Sequence, residues 1–303
     1  MTYHLATYQS DRGPRAALVS EGRLYDWADE TGWTENASVL SILENWSEHA
    51  QALATLAASP KKGPGLDIGS AKLLSPVLNP GAIFCAGANF LDHCANMAKA
   101  HGVPVPENPK KLGAVPFHFL KASRCAVGHG QAVQAISPAL DYEAELAVVI
   151  GREGRNIAID NALNHVAGYM VANDLSARDI GFRRQLPRED AFFHSWFAHK
   201  SFESSAPMGP WITPIDQLPN WRELRLQTRV NGELRQDGVC APMWYTIEDQ
   251  IAYLSTIITL RPGDIILTGT PAGAGAETGR FLKPGDVVEV SVEGIGTVST
   301  PII

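Results

Sequence analysis

From about Leu73 to its end, the sequence is a succession of short apolar runs separated by turn-forming residues. Several of these runs have the length and the β-branched composition of strands. They are Ala82–Ala86, Ala144–Ile150, Ala167–Ala172, Leu224–Val230, Ile265–Leu267 and Val287–Val292. Only one clear helical segment interrupts them, at Ile247–Ser255. This rhythm predicts an α+β, β-dominated fold of the sandwich or barrel type rather than a helical bundle.

One turn pattern occurs twice near the end of the chain, in Leu260–Ile266 and in Leu282–Val288. Both segments have a basic residue, then Pro-Gly-Asp, then β-branched residues. Proline presets φ at the second position of a turn, and glycine accepts a positive φ at the third. Each copy therefore predicts a tight turn that leads directly into a strand.

The first 72 residues have a different pattern, which predicts a small α/β unit. Its strand-like runs are Tyr3–Tyr8, Ala16–Ser20 and Arg23–Trp27. Between Val39 and Leu56, apolar residues recur every three or four positions, which indicates one amphipathic helix. The stripe ends before Pro60–Gly65, where proline and glycine cannot continue a helix. We predict a small N-terminal domain at residues 1–72 and a larger catalytic domain at residues 73–303.

Composition restricts the partners and the compartment. The net charge of −7 argues against nucleic acid or an anionic membrane as the main partner. The N-terminus lacks the basic and apolar regions of a secretory signal, and the four cysteines form no CxxC pair. These features favour a cytoplasmic protein with reduced thiols. A nucleophilic Cys94, beside His93 in the sequence, is the less favoured alternative.

The segment Asp141–Ile150 carries three acids at alternate positions, Asp141, Glu143 and Glu145, ahead of an apolar run. In one strand these side chains would share a face. Carboxylates crowded in an apolar setting repel each other unless a cation neutralises them. Hard oxygen ligands select Mg²⁺, Ca²⁺ or Mn²⁺ rather than Zn²⁺. A solvated strand face is the alternative reading of this pattern.

A second strand-like run, Ala167–Ala172, ends in another polar cluster that contains Asp174 and Arg178. Asp174 would complete a site of three carboxylates with open positions for water and substrate. Arg178 offers a planar fork that suits a carboxylate. Its alternative role is a structural ion pair with Asp179 or with another acid.

These motifs and several others resemble the fumarylacetoacetate hydrolase superfamily, in its order and spacing from about residue 76 onward. The matching segments are Gly87–His93, Phe119–Lys121, Asp141–Leu146, Ala172–Asp179, Lys200–Phe202, Gly209–Trp211, Val230–Glu233, Thr268–Gly273 and Glu293–Gly296. The resemblance implies a mixed β-sandwich roll, often preceded by a small N-terminal domain, and usually a homodimer.

The resemblance also implies roles for particular residues. The metal ligands of the family fall on Glu143, Glu145 and Asp174. Its catalytic residues fall on His93 and Lys200. Its positions close to the bound substrate fall on Lys121, Arg178 and Thr270.

The chain departs from the family pattern three residues after His93. Many members have a glutamate there that forms a dyad with the histidine, but this chain has Asn96. Asparagine cannot accept a proton, so it cannot be the partner base. Glu107 could substitute, or a single base could suffice.

The segment Asn96–Gly113, which lacks a strand rhythm, could be a mobile lid or a long surface connection.

We therefore predict a Mg²⁺-dependent hydrolase that cleaves a C–C bond in an acylpyruvate-type 2-oxo acid. A decarboxylase, hydratase or isomerase that uses the same metal site is the alternative, and Asn96 shifts weight toward it. A catalytically silent 2-oxo acid binder is less favoured.

Three further arginines could bind a second carboxylate of the substrate or form a solvated face. They are Arg183, Arg184 and Arg188. His118, His194 and His199 are expected to be packed histidines rather than ligands.

Overall fold

The computed structural model describes residues 2–34, 37–59 and 61–303. Strands dominate it. They are β1 Tyr3–Ser10, β2 Gly13–Ser20, β3 Arg23–Asp26, β4 Leu66–Asp67, β5 Ile83–Ala86, β6 His118–Lys121, β7 Ala126–Val127, β8 Leu140–Asp141, β9 Ala144–Ile150, β10 Val166–Asn173, β11 Ser176–Ala177, β12 Ala206–Pro214, β13 Arg225–Val230, β14 Glu233–Val239, β15 Ile265–Leu267, β16 Val287–Val292 and β17 Gly296–Pro301.

The α-helices of the described residues are short. They are α1 Trp27–Thr31, α2 Val39–Glu44, α3 Trp46–Ala58, α4 Leu91–His101, α5 Trp196–Lys200, α6 Ile247–Ile257 and α7 Gly275–Thr278. None of them, within the part of the chain that the structure describes, has the length and apolar character needed to cross a membrane. The predicted α+β, β-dominated fold is confirmed.

The largest sheet has the strand order β4-β3-β2-β1-β12-β10-β9-β15-β5-β6, with β7 added to β12. It is mixed, because β15 pairs with β5 and β12 pairs with β7 in parallel, whereas the neighbouring pairs are antiparallel. The sheet continues from the first strands into the larger domain through the pairing of β1 with β12. The division at residue 72 therefore stays a prediction about sequence organisation.

A second sheet, ordered β14-β13-β16-β17, packs over the middle of the first. Strand β9 lies between two cores. Leu146 and Val148 pack with Leu226 and Val290 of the second sheet, whereas Val149 faces the cluster that contains the N-terminal unit. Because both faces of β9 are covered, every residue of the strand except Glu145 is apolar, and the usual alternation with polar residues is absent.

Both predicted Pro-Gly-Asp turns are present, and each leads to the strand that it predicts. Gly263 and Gly285 have φ values of 84° and 92°, which glycine adopts without a steric penalty. The Asp264 carboxylate accepts a hydrogen bond from the Arg261 backbone N–H at 2.8 Å. Asp286 accepts the equivalent bond from Lys283 at 3.0 Å. Each aspartate thus fixes the turn that precedes its strand.

The helical predictions need two corrections. The stripe from Val39 to Leu56 forms two helices, because Asn45 adopts a non-helical conformation between α2 and α3. The region after Leu73 also contains α4, which the prediction of one clear helix missed. Helix α4 buries only Cys94 and Ala98, and its N-cap Phe90 provides no side-chain hydrogen bond. Both helical signals, an apolar stripe and a polar cap, are therefore weak there.

Candidate active site

The three predicted metal ligands meet where β9 and β10 lie side by side. Glu143 precedes β9, Glu145 lies on it opposite Ala172 of β10, and Asp174 follows β10. The Asp174 backbone N–H donates to the Glu143 carbonyl at 2.9 Å, which brings the two strand ends together. One carboxylate oxygen from each of the three residues lies within 4.8 Å of the others, and all three residues are buried.

Lys200, the last residue of α5, neutralises part of this acidic cluster. Its Nζ donates hydrogen bonds of 2.6 Å to both Glu143 Oε2 and Asp174 Oδ2. Burial alone would lower the pKa of Lys200, but these carboxylates outweigh it and raise the pKa, so the ammonium stays charged. Burial alone would raise the pKa of Glu143, whereas Lys200 and Arg178 hold it well below its usual value.

Glu145 is the third carboxylate of the cluster, and neither Lys200 nor Arg178 forms an ion pair with it. Its Oε2 accepts a hydrogen bond from the Gly269 N–H at 2.6 Å. Burial, followed by repulsion from Asp174 and Glu143, raises the pKa of Glu145 well above its usual value. A cluster of three buried carboxylates with this excess of negative charge fits a hard divalent cation. Glu143, Glu145 and Asp174 are therefore the residues that could hold one.

Asp141 does not join this cluster, although the sequence prediction placed it on the same strand face. The strand is interrupted between β8 and β9, and Asp141 turns to other partners. It accepts hydrogen bonds from the backbone N–H groups of Gly275, at 2.5 Å, and Ala276, at 3.0 Å. The Arg178 Nε donates to it at 2.9 Å, and Arg178 also pairs with Glu143. Asp141 therefore anchors α7 beside the acidic cluster.

Lys121 supports the site from within the core. Its Nζ lies 2.8 Å from Asp174 Oδ1 and donates to the backbone carbonyls of Leu175, Lys200 and Ser205. The side chain is fully buried and is not among the residues that line the cavity described below. Lys121 thus holds Asp174 and the end of α5 in place.

His93, on α4, has an acidic partner that comes from far along the chain. Its Nδ1 lies 2.6 Å from Glu277 Oε1 on α7. Asn96, one turn after His93, donates from Nδ2 to Glu277 Oε2 at 2.8 Å. Burial alone would raise the pKa of Glu277, but hydrogen bonds from His93, Asn96 and the Gly273 N–H lower it. Asn96, which stands where many family members have a glutamate, therefore orients Glu277 of α7.

Thr270 follows the loop that binds Glu145. Its Oγ1 accepts a hydrogen bond of 2.8 Å from Gln236 Nε2. Gln236 is itself held by the Pro271 carbonyl and by the Ala144 N–H. Because the Thr270 hydroxyl accepts from Gln236, its own hydrogen is free to point elsewhere, and Thr270 lines the cavity.

These groups surround a cavity of about 90 Å³. It is lined by Ala86, Gly87, Ala88, Asn89, His93, Phe119, Glu143, Glu145, Arg178, Trp196, His199, Lys200 and Thr270. This volume is well below the roughly 300–1,000 Å³ of a pocket for a drug-sized ligand. A larger groove of about 890 Å³ lies elsewhere, between α2 and the turn at residues 261–264, but it lacks this acidic cluster. The small cavity is therefore the candidate active site.

Other predicted residues lie outside this arrangement. Glu107, Arg183, Arg184 and Arg188 are exposed and do not line the cavity, which agrees with the solvated-face interpretation of the arginines. Cys94 packs with Trp244 and Tyr245, and burial, followed by nearby acids, raises its pKa to about 11. A thiol with such a pKa is a poor nucleophile near neutral pH.

The segment predicted as a lid or a surface connection begins within α4 and continues as exposed chain to a 3₁₀ turn at Pro109–Leu112. It is attached to the rest of the protein at its far end. Lys110 pairs with Asp249 at the start of α6, and the Tyr245 hydroxyl donates to the Ala114 carbonyl at 2.7 Å. Opening of this segment would therefore have to break at least these contacts.

The fold and the site together define a class: a β-rich enzyme with a buried carboxylate triad beside a histidine–glutamate pair. The sequence model of the family described as fumarylacetoacetate (FAA) hydrolase C-terminal matches residues 82–303. The chain belongs to this family of enzymes, and the resemblance drawn from its motifs is confirmed.

Two named relatives and one solved structure are similar to this chain over most of its length. Over 263 residues the chain is 36% identical to oxaloacetate tautomerase YisK of Bacillus subtilis, with 84% of this chain and 81% of that protein covered. It is 37% identical over 244 residues to the human protein named oxaloacetate tautomerase FAHD2A, mitochondrial, which covers 79% and 72% of the two chains. The solved fumarylacetoacetate hydrolase EaFAH of Exiguobacterium antarcticum matches with a TM-score of 0.76, 29% identity and 99% coverage of both chains.

Glu277 is the functional candidate that the sequence prediction missed. It lies in the glycine-rich stretch Gly269–Gly279, where the sequence motifs assign no acid. Two signals could have indicated it. Asn96 leaves His93 without the usual acidic partner, and Glu277 is the single acid in that glycine-rich stretch.

Proposed function

We propose that this enzyme is a divalent-metal-dependent tautomerase, which interconverts the keto and enol forms of a small 2-oxo acid of the oxaloacetate type. The observation that carries the proposal is the contact between Glu277 and His93, because it places an oriented base beside the carboxylate triad. The relatives named oxaloacetate tautomerases support this reaction over C–C bond hydrolysis, which was the first prediction from the sequence. The small cavity agrees with a short substrate.

In this proposal Glu143, Glu145 and Asp174 hold Mg²⁺, or Mn²⁺ or Ca²⁺ in its place. The cation would supply Lewis-acid stabilisation of negative charge on the oxygen at C2 of the substrate. Lys200 donates hydrogen bonds to Glu143 and Asp174 and adds positive charge to the same side of the cavity. Thr270 offers a hydroxyl hydrogen to an oxygen of the substrate.

His93 moves the proton. Glu277 accepts the hydrogen on Nδ1, which leaves Nε2 of the neutral ring as a base. His93 would take a proton from C3 of the keto form. The electron pair of the broken C–H bond forms the C2–C3 double bond, and the π pair of the C2=O bond moves onto the oxygen. Return of that proton to the oxygen at C2 gives the enol, so the step consumes no water and releases no fragment.

C–C bond hydrolysis remains the second candidate, because the contact between Glu277 and His93 is compatible with both reactions. Asn96 had cast doubt on a water-activating dyad, but Glu277 supplies the missing carboxylate to His93. A dyad of this kind can also remove a proton from water. The resemblance to the solved fumarylacetoacetate hydrolase is consistent with this alternative.

One assay separates the two reactions. The enol absorbance of oxaloacetate and of a panel of acylpyruvates is followed with Mg²⁺ and again with EDTA. The tautomerase proposal predicts Mg²⁺-dependent acceleration of the oxaloacetate equilibrium without new products. Mg²⁺-dependent loss of acylpyruvate, with pyruvate and a second acid formed, would instead support the hydrolase. If neither acid is converted, both proposals fail and a silent binder becomes the better interpretation.

We further propose that the protein acts in the cytoplasm as a homodimer. The four cysteines are free and buried, as expected in a reducing compartment. Strand β6 forms one edge of the large sheet, and near it Phe117, Leu120 and Phe197 expose 48%, 57% and 72% of their surfaces. Exposed apolar groups beside an open sheet edge favour association with a second copy. Sedimentation of the wild type and of a Leu120→Lys variant would test this.

A further inference from the structure

His199 is a cavity-lining residue that the proposed reaction does not use. It lies on α5 directly before Lys200 and lines the same cavity as the carboxylate triad. Only 3% of its surface is exposed. Its ring stacks against Trp196, with the ring centroids 5.7 Å apart and the planes inclined by 20°. The packing holds the imidazole at a defined position in the cavity wall.

The two ring nitrogens of His199 have different surroundings. Nδ1 lies 3.3 Å from Nε2 of His194. Nε2 is buried and has no hydrogen-bond partner among residues 2–34, 37–59 and 61–303. Buried polar atoms in folded proteins nearly always have a partner, and an unsatisfied one is costly. A bound ligand in the cavity would provide that partner.

The charge around His199 indicates the kind of ligand. Burial, followed by the nearby charges of Lys200 and Arg178, lowers the pKa of His199 to about 2, so the ring is neutral. If His194 Nε2–H donates to Nδ1, the hydrogen of His199 is on Nε2 and available to an acceptor. Both cations are paired with carboxylates of the site, but they lie close enough to His199 to lower its pKa, and positive charge near the ring also favours an anionic acceptor over a neutral one.

We propose that His199 is a specificity-determining residue, whose Nε2–H donates a hydrogen bond to the carboxylate at the far end of a short 2-oxo dicarboxylic acid. The inference rests on the proposed function, in which the carboxylate triad serves the C1 and C2 end of the substrate. His199 Nε2–H is then a donor in the cavity wall that the C1 and C2 end does not use and that the far carboxylate can reach. An alkyl group there would leave Nε2–H without a partner. The exposed arginines at positions 183, 184 and 188 do not serve this purpose, because they lie outside the cavity.

The test measures binding, with two stable acids that differ only at the far end. L-Malate and L-2-hydroxybutyrate have the same chain length, but a methyl group replaces the second carboxylate. Their dissociation constants are measured by calorimetry at fixed Mg²⁺ for the wild type, His199→Phe and His199→Gln. Phenylalanine keeps an aromatic ring beside Trp196 and removes the donor, whereas glutamine restores an N–H donor. His118→Phe, at a histidine outside the cavity, is the matched control.

We expect the wild type to prefer malate, and His199→Phe to reduce that preference about 10- to 100-fold, the usual range for a hydrogen bond to a charged group. His199→Gln should recover part of it, and His118→Phe should keep it. The proposal is overturned if His199→Phe leaves the preference for malate unchanged or weakens the binding of both acids by the same factor. If His199→Phe does not fold, the wild-type measurement decides: the absence of a preference for malate over 2-hydroxybutyrate overturns the proposal.

The same proteins are assayed for conversion of oxaloacetate, which separates this inference from the proposed function. A His199-dependent preference for malate in an enzyme that does not tautomerise oxaloacetate would refute the reaction and keep the role of His199. Tautomerisation with an unchanged preference in His199→Phe would refute the role of His199 and keep the reaction.

Discussion

Glu277 Oε1 lies 2.6 Å from His93 Nδ1, although the two residues are 184 positions apart in the sequence. Two independent contacts hold this pair together. Asn96 Nδ2 donates to the second oxygen of Glu277, and Asp141 fixes the start of α7 through the N–H groups of Gly275 and Ala276. Because Asp141 also binds Arg178, the acidic cluster and the histidine–glutamate pair are parts of one connected network.

The first prediction is that Glu277→Gln lowers kcat by about 10²–10³-fold, within the range that general acid–base catalysis contributes. Glutamine has nearly the same shape, but it removes the charge that selects the tautomer of His93 and stabilises its protonated form. Steady-state kinetics on oxaloacetate would measure the loss. Glu107→Gln, at the exposed acid considered from the sequence, is the control and should retain full activity. Loss of activity in the control alone would assign the partner role to Glu107.

A second prediction concerns Glu145, which forms no ion pair with Lys or Arg among the residues that the structure describes and accepts a hydrogen bond from the Gly269 N–H. Glu145→Gln keeps the size of the side chain and removes one of three crowded negative charges. The metal-free variant should therefore be at least as stable as the metal-free wild type. Addition of Mg²⁺ should raise the Tm of the wild type but not of the variant, because a ligand stabilises only the state that binds it. The variant should also lose Mg²⁺-dependent activity.

Asp174 is a less suitable position for that experiment. It contacts both Lys121 and Lys200, so Asp174→Ala would leave two buried ammonium groups with fewer partners. Breaking a buried pair in this way costs about 3–5 kcal/mol. A Glu145→Gln protein whose Tm still rises with Mg²⁺ as that of the wild type does would contradict the assignment of Glu145 as a ligand.

The sequence predicted the strands that build the site, since their signals are local. The bounds of β9, β15 and β16 match the predicted runs, because β-branched residues between turn formers define them. Strands β12, β14 and β17 were not predicted. Strand β12 contains three prolines and a glycine, and β14 is mostly exposed and polar, so neither has the usual alternation or apolar composition.

The site was predicted in part for the same reason. Glu143, Glu145 and Asp174 lie at the ends of recognisable strands, so their meeting followed from strand geometry and from the family motif. The predicted position of Asp141 was wrong. The break between β8 and β9 depends on the pairing of β8 with β11, which the local sequence pattern does not show. The pairing of Glu277 with His93 depends on how α4 and α7 pack, and neither helix has a strong sequence signal.

A third prediction concerns Thr270, whose Oγ1 accepts a hydrogen bond from Gln236 and whose hydroxyl hydrogen is free for the substrate. Thr270→Val should raise the KM for oxaloacetate about 10-fold through the lost hydrogen bond. It should also lower the free energy of unfolding by about 1–3 kcal/mol, because one N–H of buried Gln236 loses its acceptor. Thr270→Ser keeps the hydroxyl and should change both quantities far less. Equal effects of valine and serine would assign Thr270 a packing role only.

The last prediction concerns the stability of the protein in acid and involves a histidine far from the site. His4, on β1, stacks on Trp211 of β12, and its Nδ1 lies 2.9 Å from Thr213 Oγ1. Burial lowers the pKa of His4 to about 4. In the unfolded chain the pKa of histidine is about 6.5, so the unfolded state binds more protons between these values. The stability that the neutral ring contributes is therefore complete above pH 6.5 and is lost as the pH falls toward 4.

The pairing of β1 with β12 joins the first strands of the chain to the rest of the large sheet, and His4 contacts both Trp211 and Thr213 of β12 at this pairing. We expect protonation of His4 to remove at most about 3 kcal/mol of the free energy of unfolding across this window. His4→Phe keeps a ring against Trp211 and cannot be protonated. Urea unfolding of both proteins from pH 8 to pH 4 should show a smaller decrease for the variant, with the two compared first at pH 8, where His4 is neutral in both states. Parallel pH profiles would show that His4 is not protonated on unfolding and would refute the prediction.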